Sequence, residues 1–134
     1  MNAILLDAGA PATCQPLTCS RPLGAIPVAN RPLAEQQRHR LTEAGLTPVA
    51  AEVTAGPEPI LFLAGDAWVE LDTLRAFAAH PAPAILRSAT GQLLAWLGRA
   101  SRPPAGAAEV AAAPKLNFVI RFPWDFLRVN ELLV

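Results

Sequence analysis

The chain is short and carries no net charge. Its 134 residues suit a single domain spanning 1–134, and its 11 basic and 11 acidic residues cancel. Without a global field to attract nucleic acid or an anionic membrane, neither is an expected partner. The apolar runs are far shorter than the roughly 20 residues that span a bilayer, and the N-terminus lacks a secretory pattern, so a cytoplasmic protein is expected.

The chain opens with a predicted strand and a long loop. Residues 3–6 form a short apolar run that stops at Asp7-Ala8-Gly9, which is typical of a buried parallel strand. Proline is frequent over 10–32 and would interrupt helices and most strands. That segment is therefore predicted to be a structured loop.

Helices and strands then alternate. A helix is predicted over 33–44, because Gly45 follows as a stop signal, and a strand over 47–53. The apolar run 60–64 predicts the clearest strand, which ends at Gly65-Asp66.

The next elements are an amphipathic helix and a hairpin. Leu71, Leu74 and Phe77 recur at helical spacing, and strands are predicted over 84–87 and 92–97 with a turn between them. This alternation favours an α/β fold, a three-layer sandwich with a mostly parallel sheet.

The C-terminal third changes in composition. Residues 101–115 are rich in Ala, Pro and Gly and are predicted to form a linker or mobile loop. A strand is expected over 117–121, followed by a C-terminal helix over 123–134 that starts at Pro123.

Cysteine usage gives no sign of a structural metal. Cys14 and Cys19 lie in the proline-containing loop, where an intracellular chain would keep them reduced. His39 and His80 belong to different predicted elements and lack a paired spacing. A zinc site is therefore not expected.

Two strand ends carry residues that could bind a ligand or a metal ion. Ligands of open α/β sheets bind where strands end, and Asp66 stands at the tip of an apolar strand. A lone carboxylate there suits Mg²⁺, which is commonly held by one or two carboxylates together with substrate phosphates. The alternative is an ordinary turn aspartate, since Gly-Asp after a strand is common turn chemistry.

The first third of the chain contains a series of short motifs whose match to a known pattern needs no gap: Leu6-Asp7-Ala8-Gly9, Pro16-Leu17-Thr18, Arg21-Pro22, Ile26-Pro27-Val28 and Arg31-Pro32-Leu33. Their order resembles the opening of the sugar nucleotidyltransferases, which join a nucleoside triphosphate to a sugar phosphate and release pyrophosphate. Phe62-Leu63-Ala64-Gly65-Asp66 resembles the family's strand whose final aspartate binds the catalytic magnesium. The resemblance implies a reduced nucleotide-diphospho-sugar transferase-like, Rossmann-like fold, nucleotide binding by Ala8, Gly9 and Arg21, and Mg²⁺ at Asp66.

The departures from this family fall on residues that handle phosphate. Pro11 stands in place of the second loop glycine, and proline removes both backbone freedom and an N–H donor. Thr13 stands in place of the loop arginine, and Leu23 in place of the lysine. Removing a single electrostatic donor from a transition state typically slows a reaction by a factor of about 10² to 10³.

The C-terminal residues carry a second resemblance. Pro123-Trp124-Asp125 with Asn130 is similar to the segment that closes the nucleotidyltransferase region in several relatives, where a left-handed β-helix follows. A cluster of apolar residues lies in this region, namely Phe118, Ile120, Phe122, Trp124 and Phe126. Their number suggests a contact with a second copy or a partner subunit, although the core is the commoner destination.

Three functions remain open at this point. The favoured one is a degenerate nucleotidyltransferase-like module, a pseudoenzyme that binds a nucleotide or sugar nucleotide weakly or serves as a regulatory or assembly domain. The second is a working transferase that uses Asp66 with Mg²⁺ and takes cations from Arg31, Arg87 or a neighbouring subunit. The third is an unrelated small α/β interaction domain.

Overall fold

The computed structural model describes residues 1–15, 17–50, 58–114 and 116–133. Its helices are α1 (Leu33–Glu43), α2 (Leu71–Ala78) and α3 (Asp125–Leu133). Its strands are β1 (Asn2–Leu5), β2 (Pro27–Val28), β3 (Arg31–Pro32), β4 (Thr47–Pro48), β5 (Ile60–Leu63), β6 (Ala67–Trp68), β7 (Ala84–Arg87), β8 (Leu93–Gly98), β9 (Ala108–Ala111) and β10 (Phe118–Val119). No helix within these ranges combines the length and the apolar character that crossing a membrane requires.

The main sheet has six strands in the order β4-β1-β5-β8-β7-β9. Strand β1 runs parallel to both of its neighbours, and β7 runs parallel to β9. Strand β8 is antiparallel to β5 and β7, because a tight turn at 88–91 folds it back beside β7. The predicted α/β fold with a mostly parallel sheet is confirmed.

Side chains alternate along the strands and build a core on each face of the sheet. One cluster includes Ala3 and Leu61 and is covered by Leu41 of α1 and by Leu74 and Phe77 of α2. Both of these helices thus cover the same face.

The opposite face carries a smaller cluster. It contains Ile4, Ile60, Phe62, Ile85 and Trp96, and the Phe62 and Trp96 rings stack with their centroids 5.5 Å apart. No helical residue in the described ranges belongs to this cluster. Within the described residues, helices α1 and α2 therefore pack on the face opposite this cluster.

A third cluster lies beyond the end of β5, and we call it the loop core. Its members are Cys14, Leu23, Ile26, Val28, Leu33, Trp68, Phe118, Ile120, Phe126 and Val129. They come from the loop after β1, the β2–β3 hairpin, the antiparallel β6–β10 pair and α3. The hairpin is joined to α3 by the Ala29 N–H, which donates to Asn130 Oδ1 at 2.9 Å.

The C-terminal apolar residues divide between the interior and the surface. Phe118, Ile120 and Phe126 are buried in the loop core, so the chain itself covers them. Trp124 is 59% exposed and Leu127 is 65% exposed. Of the residues for which a partner contact was expected, Trp124 is therefore the exposed one.

Two sequence expectations differ from the structure or extend beyond it. The segment 101–115, predicted to be a linker, contains β9, which pairs with β7 at the edge of the sheet. The ion pair between Arg87 and Glu109, at 3.1 Å, helps to hold this exposed strand in place. Of the strand predicted over 47–53, the structure shows Thr47–Pro48, and residues 51–53 lie outside the described ranges.

Candidate functional site

The ends of β1 and β5 approach each other closely. The Leu6 N–H donates to the Leu63 carbonyl oxygen at 2.9 Å, which continues the parallel pairing beyond β1. A Cβ atom on Gly65 would overlap the Leu6 carbonyl oxygen and lie 2.7 Å from the Ala8 nitrogen. Only glycine fits at position 65. Asp66, the candidate metal ligand, therefore directly follows the point where the chain contacts the loop after β1.

Gly9 shapes the start of that loop. Its φ is +67°, in the left-handed region that favours glycine, and a Cβ there would meet nothing within 4 Å. Its N–H donates to Asp7 Oδ1 at 2.9 Å, and its carbonyl accepts from the Leu23 N–H at 2.7 Å. Gly9 therefore joins the strand end to the loop core, while its own N–H already has a local acceptor.

Asp66 is half-buried in the turn between β5 and β6. Its carbonyl oxygen accepts from the Ile120 N–H at 2.6 Å, so its backbone is fixed against the C-terminal segment. Desolvation by burial raises the pKa of its carboxyl group, and a bond from its own backbone N–H partly opposes that shift. In the described ranges no cation forms an ion pair with this carboxylate.

The Asp66 carboxylate also affects the thiol of Cys14. Burial raises the pKa of Cys14, and the negative charges of Asp125 and, to a smaller extent, Asp66 raise it further. The neutral thiol is therefore favoured, and Cys14 and Cys19 are both free. Within the described residues no group of three or more His, Cys, Asp or Glu side chains gathers to hold a metal ion.

The residues around Asp66 fit a Mg²⁺ ion held chiefly by ligand phosphates. Asp66 offers a single hard oxygen donor group without a competing cation, whereas the adjacent Cys14 thiol is a poor ligand for Mg²⁺. A lone carboxylate of this kind would hold Mg²⁺ only together with a phosphate-bearing molecule.

Sequence reasoning missed Gln37, which supports the Asp66 turn from α1. Its Nε2 donates to the carbonyl oxygens of Gly65 at 3.0 Å and Ala67 at 2.8 Å, on both sides of Asp66. Its Oε1 is buried and has no hydrogen-bond partner among the described residues. The signal was present, because Leu33, Gln37 and Leu41 lie four residues apart on one helix face, and glutamine is unusual on a buried face.

A cavity of about 290 Å³ opens beside these strand ends, and we call it the strand-end cavity. The residues around it come from the end of β1, from the loop and from α1, and they include Asp7, Ala8, Gly24, Gln37, Arg38 and Gly65. Ala8, which the family resemblance singled out, therefore lies in a concave site next to the Gly65-Asp66 turn. Arg38 is an exposed cation at this site that the sequence analysis did not identify.

The positions where the family carries phosphate-binding residues have different surroundings here. Leu23 is fully buried in the loop core, whereas Thr13 is exposed on a short helical turn. The Pro11 carbonyl accepts from the Thr18 hydroxyl at 2.7 Å, which fixes the loop internally. The loop is thus built around apolar packing and its own hydrogen bonds.

The other arginines considered for phosphate binding lie away from the strand-end cavity. Arg21 is exposed and does not border it, and Arg31 is exposed in the β2–β3 hairpin. Arg87 is engaged with Glu109 and also donates to the Gly91 carbonyl at 3.2 Å. Arg87 is therefore a structural residue of the β7–β9 edge.

The architecture and the strand-end geometry define a nucleotidyltransferase-like α/β fold. The chain is similar to a solved CTP:phosphocholine cytidylyltransferase from Streptococcus pneumoniae, with a TM-score of 0.58 over 99% of each chain and 11% identity. This likeness shows the fold and does not favour a sugar as the acceptor. No protein-family model matches the sequence, and no curated protein matches it.

Proposed function

We propose that the protein is a nucleotide-binding module of nucleotidyltransferase type with reduced or absent transfer chemistry. The observation that carries this proposal is the concave site at the ends of β1 and β5, where Ala8 and Gly65 border one cavity and Asp66 follows directly. Ligands of open α/β sheets bind at this edge. The ligand class is a nucleotide or a nucleotide-linked metabolite such as a sugar nucleotide.

Each element of the site would have a separate role. Backbone groups near Ala8 and Gly24 would approach the ligand closely, and Arg38 would meet a negative charge at the rim. Asp66 would hold Mg²⁺ together with the ligand phosphates, and the ion would supply positive charge to neutralise them. Gln37 would keep the Asp66 turn in place through its bonds to the two flanking carbonyl groups.

The loop argues for binding rather than turnover. Transfer from a triphosphate requires positive charge on the departing pyrophosphate. The two positions at which the family places such cations hold an exposed threonine, Thr13, and a fully buried leucine, Leu23. Binding therefore requires fewer of the missing groups than catalysis does.

A thermal-unfolding titration tests this function. The protein is heated with UTP, dTTP, CTP or GTP, each with and without Mg²⁺, and binding to the native state raises the melting temperature by mass action. We expect at least one nucleotide to give a saturable, Mg²⁺-dependent rise. Pyrophosphate release with sugar 1-phosphates or phosphocholine added as acceptors then distinguishes a working transferase from a binding module.

The metal assignment is tested by a matched pair of aspartate substitutions. Asp66→Asn should abolish the Mg²⁺-dependent part of the rise, because the amide is a poorer ligand for the ion. Asp72→Asn is the control. Asp72 lies in α2, its side chain is 83% exposed, and its Oδ1 is 3.6 Å from Arg75 Nη1. A flat response to every nucleotide would refute the proposed function, and an unchanged Mg²⁺ effect in Asp66→Asn would refute the metal assignment.

A further inference from the structure

Helix α3 has apolar side chains on its outward face as well as on its buried one. On the inner face, Phe126 and Val129 are buried in the loop core. On the outward face, Trp124 in the turn that leads into the helix is 59% exposed, and Leu127, three residues later, is 65% exposed. A surface helix usually presents polar residues to solvent. The outward face of α3 therefore differs from that of an ordinary surface helix.

The exposure of large apolar side chains is concentrated at this one place. In the described part of the chain four such side chains are exposed, and three of them, Trp124, Leu127 and Leu132, belong to α3 or to the turn before it. Single exposed apolar residues are common on protein surfaces, whereas neighbouring ones indicate a contact surface. We call Trp124 and Leu127 the apolar pair.

Opposite charges stand at the two ends of the apolar pair. At one end, the Arg121 guanidinium carbon lies 5.8 Å from the centre of the Phe122 ring, and this ring stacks on Trp124 with centroids 4.6 Å apart. At the other end, Glu131 follows Leu127 by four residues and so lies one turn further along the same side of the helix. Arg121 and Glu131 are both exposed.

The two charges do not neutralise each other within one chain. Among the residues that the structure describes, neither Arg121 nor Glu131 forms an ion pair. Trp124 and Glu131 are separated by seven residues, which is roughly 10 Å along a helix axis, and Arg121 lies beyond Trp124. An ion pair between these two charges therefore requires a second molecule.

The position of Glu131 is unfavourable in a single chain. It lies in the last turn of α3, where the backbone carbonyl groups carry partial negative charge, and this turn has no basic side chain within the described helix. The N-terminal end of another helix, with its partial positive charge, would be a more favourable neighbour.

A surface with this pattern is complementary to itself. When two copies meet with their α3 helices antiparallel about a twofold axis, Trp124 of each copy can pack against Leu127 of the other. The same arrangement sets Arg121 of each copy beside Glu131 of the other, because the two charges lie at opposite ends of the apolar pair. A parallel arrangement would place like charges together, which disfavours it.

From these contacts we infer that the protein forms a homodimer through the outward face of α3. Two contacts between Trp124 and Leu127 form its centre, and two ion pairs between Arg121 and Glu131 form its rim. These four residues do not border the strand-end cavity, so the inference does not rest on the proposed nucleotide site.

Sedimentation velocity of the whole chain, without any ligand, tests the inference. The protein is measured from about 1 µM to 1 mM, because a short interface gives a modest affinity. We expect the sedimentation coefficient to rise with concentration from that of a monomer to that of a dimer and no further, since a twofold contact closes on itself.

Variants of the apolar pair locate the contact. Trp124→Ala and Leu127→Ser should each raise the dissociation constant of the dimer by about tenfold or more, because each residue occurs twice in a symmetric interface. Both side chains are exposed in the single chain, so folding should be preserved, which circular dichroism checks.

Charge reversal distinguishes self-association from a contact with any other partner. Arg121→Glu alone, or Glu131→Arg alone, places like charges together at both ends of the interface and should weaken the dimer about tenfold or more. An equal mixture of these two variants should regain the wild-type affinity, because one chain then has two negative groups facing two positive groups on the other. Arg102→Glu, at an exposed position in another part of the chain, is the control and should dimerise as the wild type does.

The inference is overturned if the wild type stays monomeric over the whole concentration range or forms assemblies larger than a dimer. It is also overturned if Leu127→Ser leaves the dimer unchanged, or if the mixed charge variants fail to associate. Asp66→Asn should dimerise as the wild type does, so this result is separate from the test of the proposed nucleotide site.

Discussion

The strand ends and the loop core lie side by side, yet different interactions hold them: close backbone contacts at the strand ends and apolar side-chain packing in the loop core. At the strand ends, backbone groups approach so closely that Gly65 admits no side chain, and Gln37 holds the carbonyl groups on both sides of Asp66. In the loop, the apolar side chain of Leu23 is buried at the position where the similar family carries a phosphate-binding lysine.

The difference separates the shape of the site from the side chains that the loop supplies to it. The strand ends are fixed by backbone pairing that the fold itself requires, so their concave geometry persists. The side chain at position 23 is instead a core residue, and burial of Leu23 stabilises the loop. A charged residue at this position would therefore be costly.

The largest expected effect comes from placing a lysine at position 23, where the similar family has one. Leu23→Lys should lower the free energy of unfolding by about 3 to 5 kcal/mol, because it removes buried packing and places an ammonium group in an apolar cluster. Urea unfolding measures the change. Thr13→Lys, which adds the same charge at an exposed loop position, is the control and should stay within about 0.5 kcal/mol of the wild type. Equal losses in both variants would contradict the contrast between the two positions.

A smaller effect is expected at the strand ends. Gly65→Ala should destabilise the protein by about 1 to 3 kcal/mol, because the new methyl group meets the backbone of Leu6 and Ala8, which cannot move without disturbing β1. Gly98→Ala is the control, since its Cβ would lie 3.7 Å or more from the nearest atoms. Thermal unfolding compares the two, and a Gly65→Ala protein as stable as Gly98→Ala would show that the strand ends are looser than described.

The smallest expected effect is a pH dependence of stability. Burial raises the pKa of Asp66 in the folded state, so the folded protein binds this proton more tightly than the unfolded chain does. The contribution of Asp66 to the free energy of unfolding is therefore most favourable when its carboxyl group is protonated. This contribution is lost as the pH rises through the pKa of the folded state.

Without Mg²⁺, Asp66→Asn should therefore be more stable than the wild type at pH 7. The difference should shrink as the pH falls towards the ordinary aspartate value of 3.8. Urea unfolding at several pH values measures it, with Asp72→Asn as the exposed control. A stability gain in Asp66→Asn that is the same at every pH would contradict the assigned cause.

Much of the fold is predictable from the sequence because its elements have strong local signals. The apolar runs of β1 and β5 stop at glycine or aspartate, and the helical spacing of Leu71, Leu74 and Phe77 marks α2. Strand β9 gives no such signal. Of its residues Ala108–Ala111, only Val110 is partly buried, and the strand's conformation depends on parallel pairing with β7, which is distant in the chain.

The candidate site is predictable only in part. Asp66 is evident from its place at the end of an apolar strand, and Ala8 from the family resemblance. Neither periodicity nor resemblance reveals that Leu23 is fully buried, because the cluster that contains it is completed by residues of α3 and β10, far along the sequence. The contacts of Gln37 likewise appear only once α1 packs beside the end of β5.

The most direct measurement of the central claim is a nuclear magnetic resonance titration of the ¹⁵N-labelled protein with nucleoside triphosphate and Mg²⁺. The account predicts saturable amide shifts at Ala8, Gly9, Gly65 and Asp66, with the amide of Ala84, at the start of β7 and thus at the opposite edge of the sheet, unmoved. Saturable shifts that spare the ends of β1 and β5, or no shifts with any nucleotide, would contradict it.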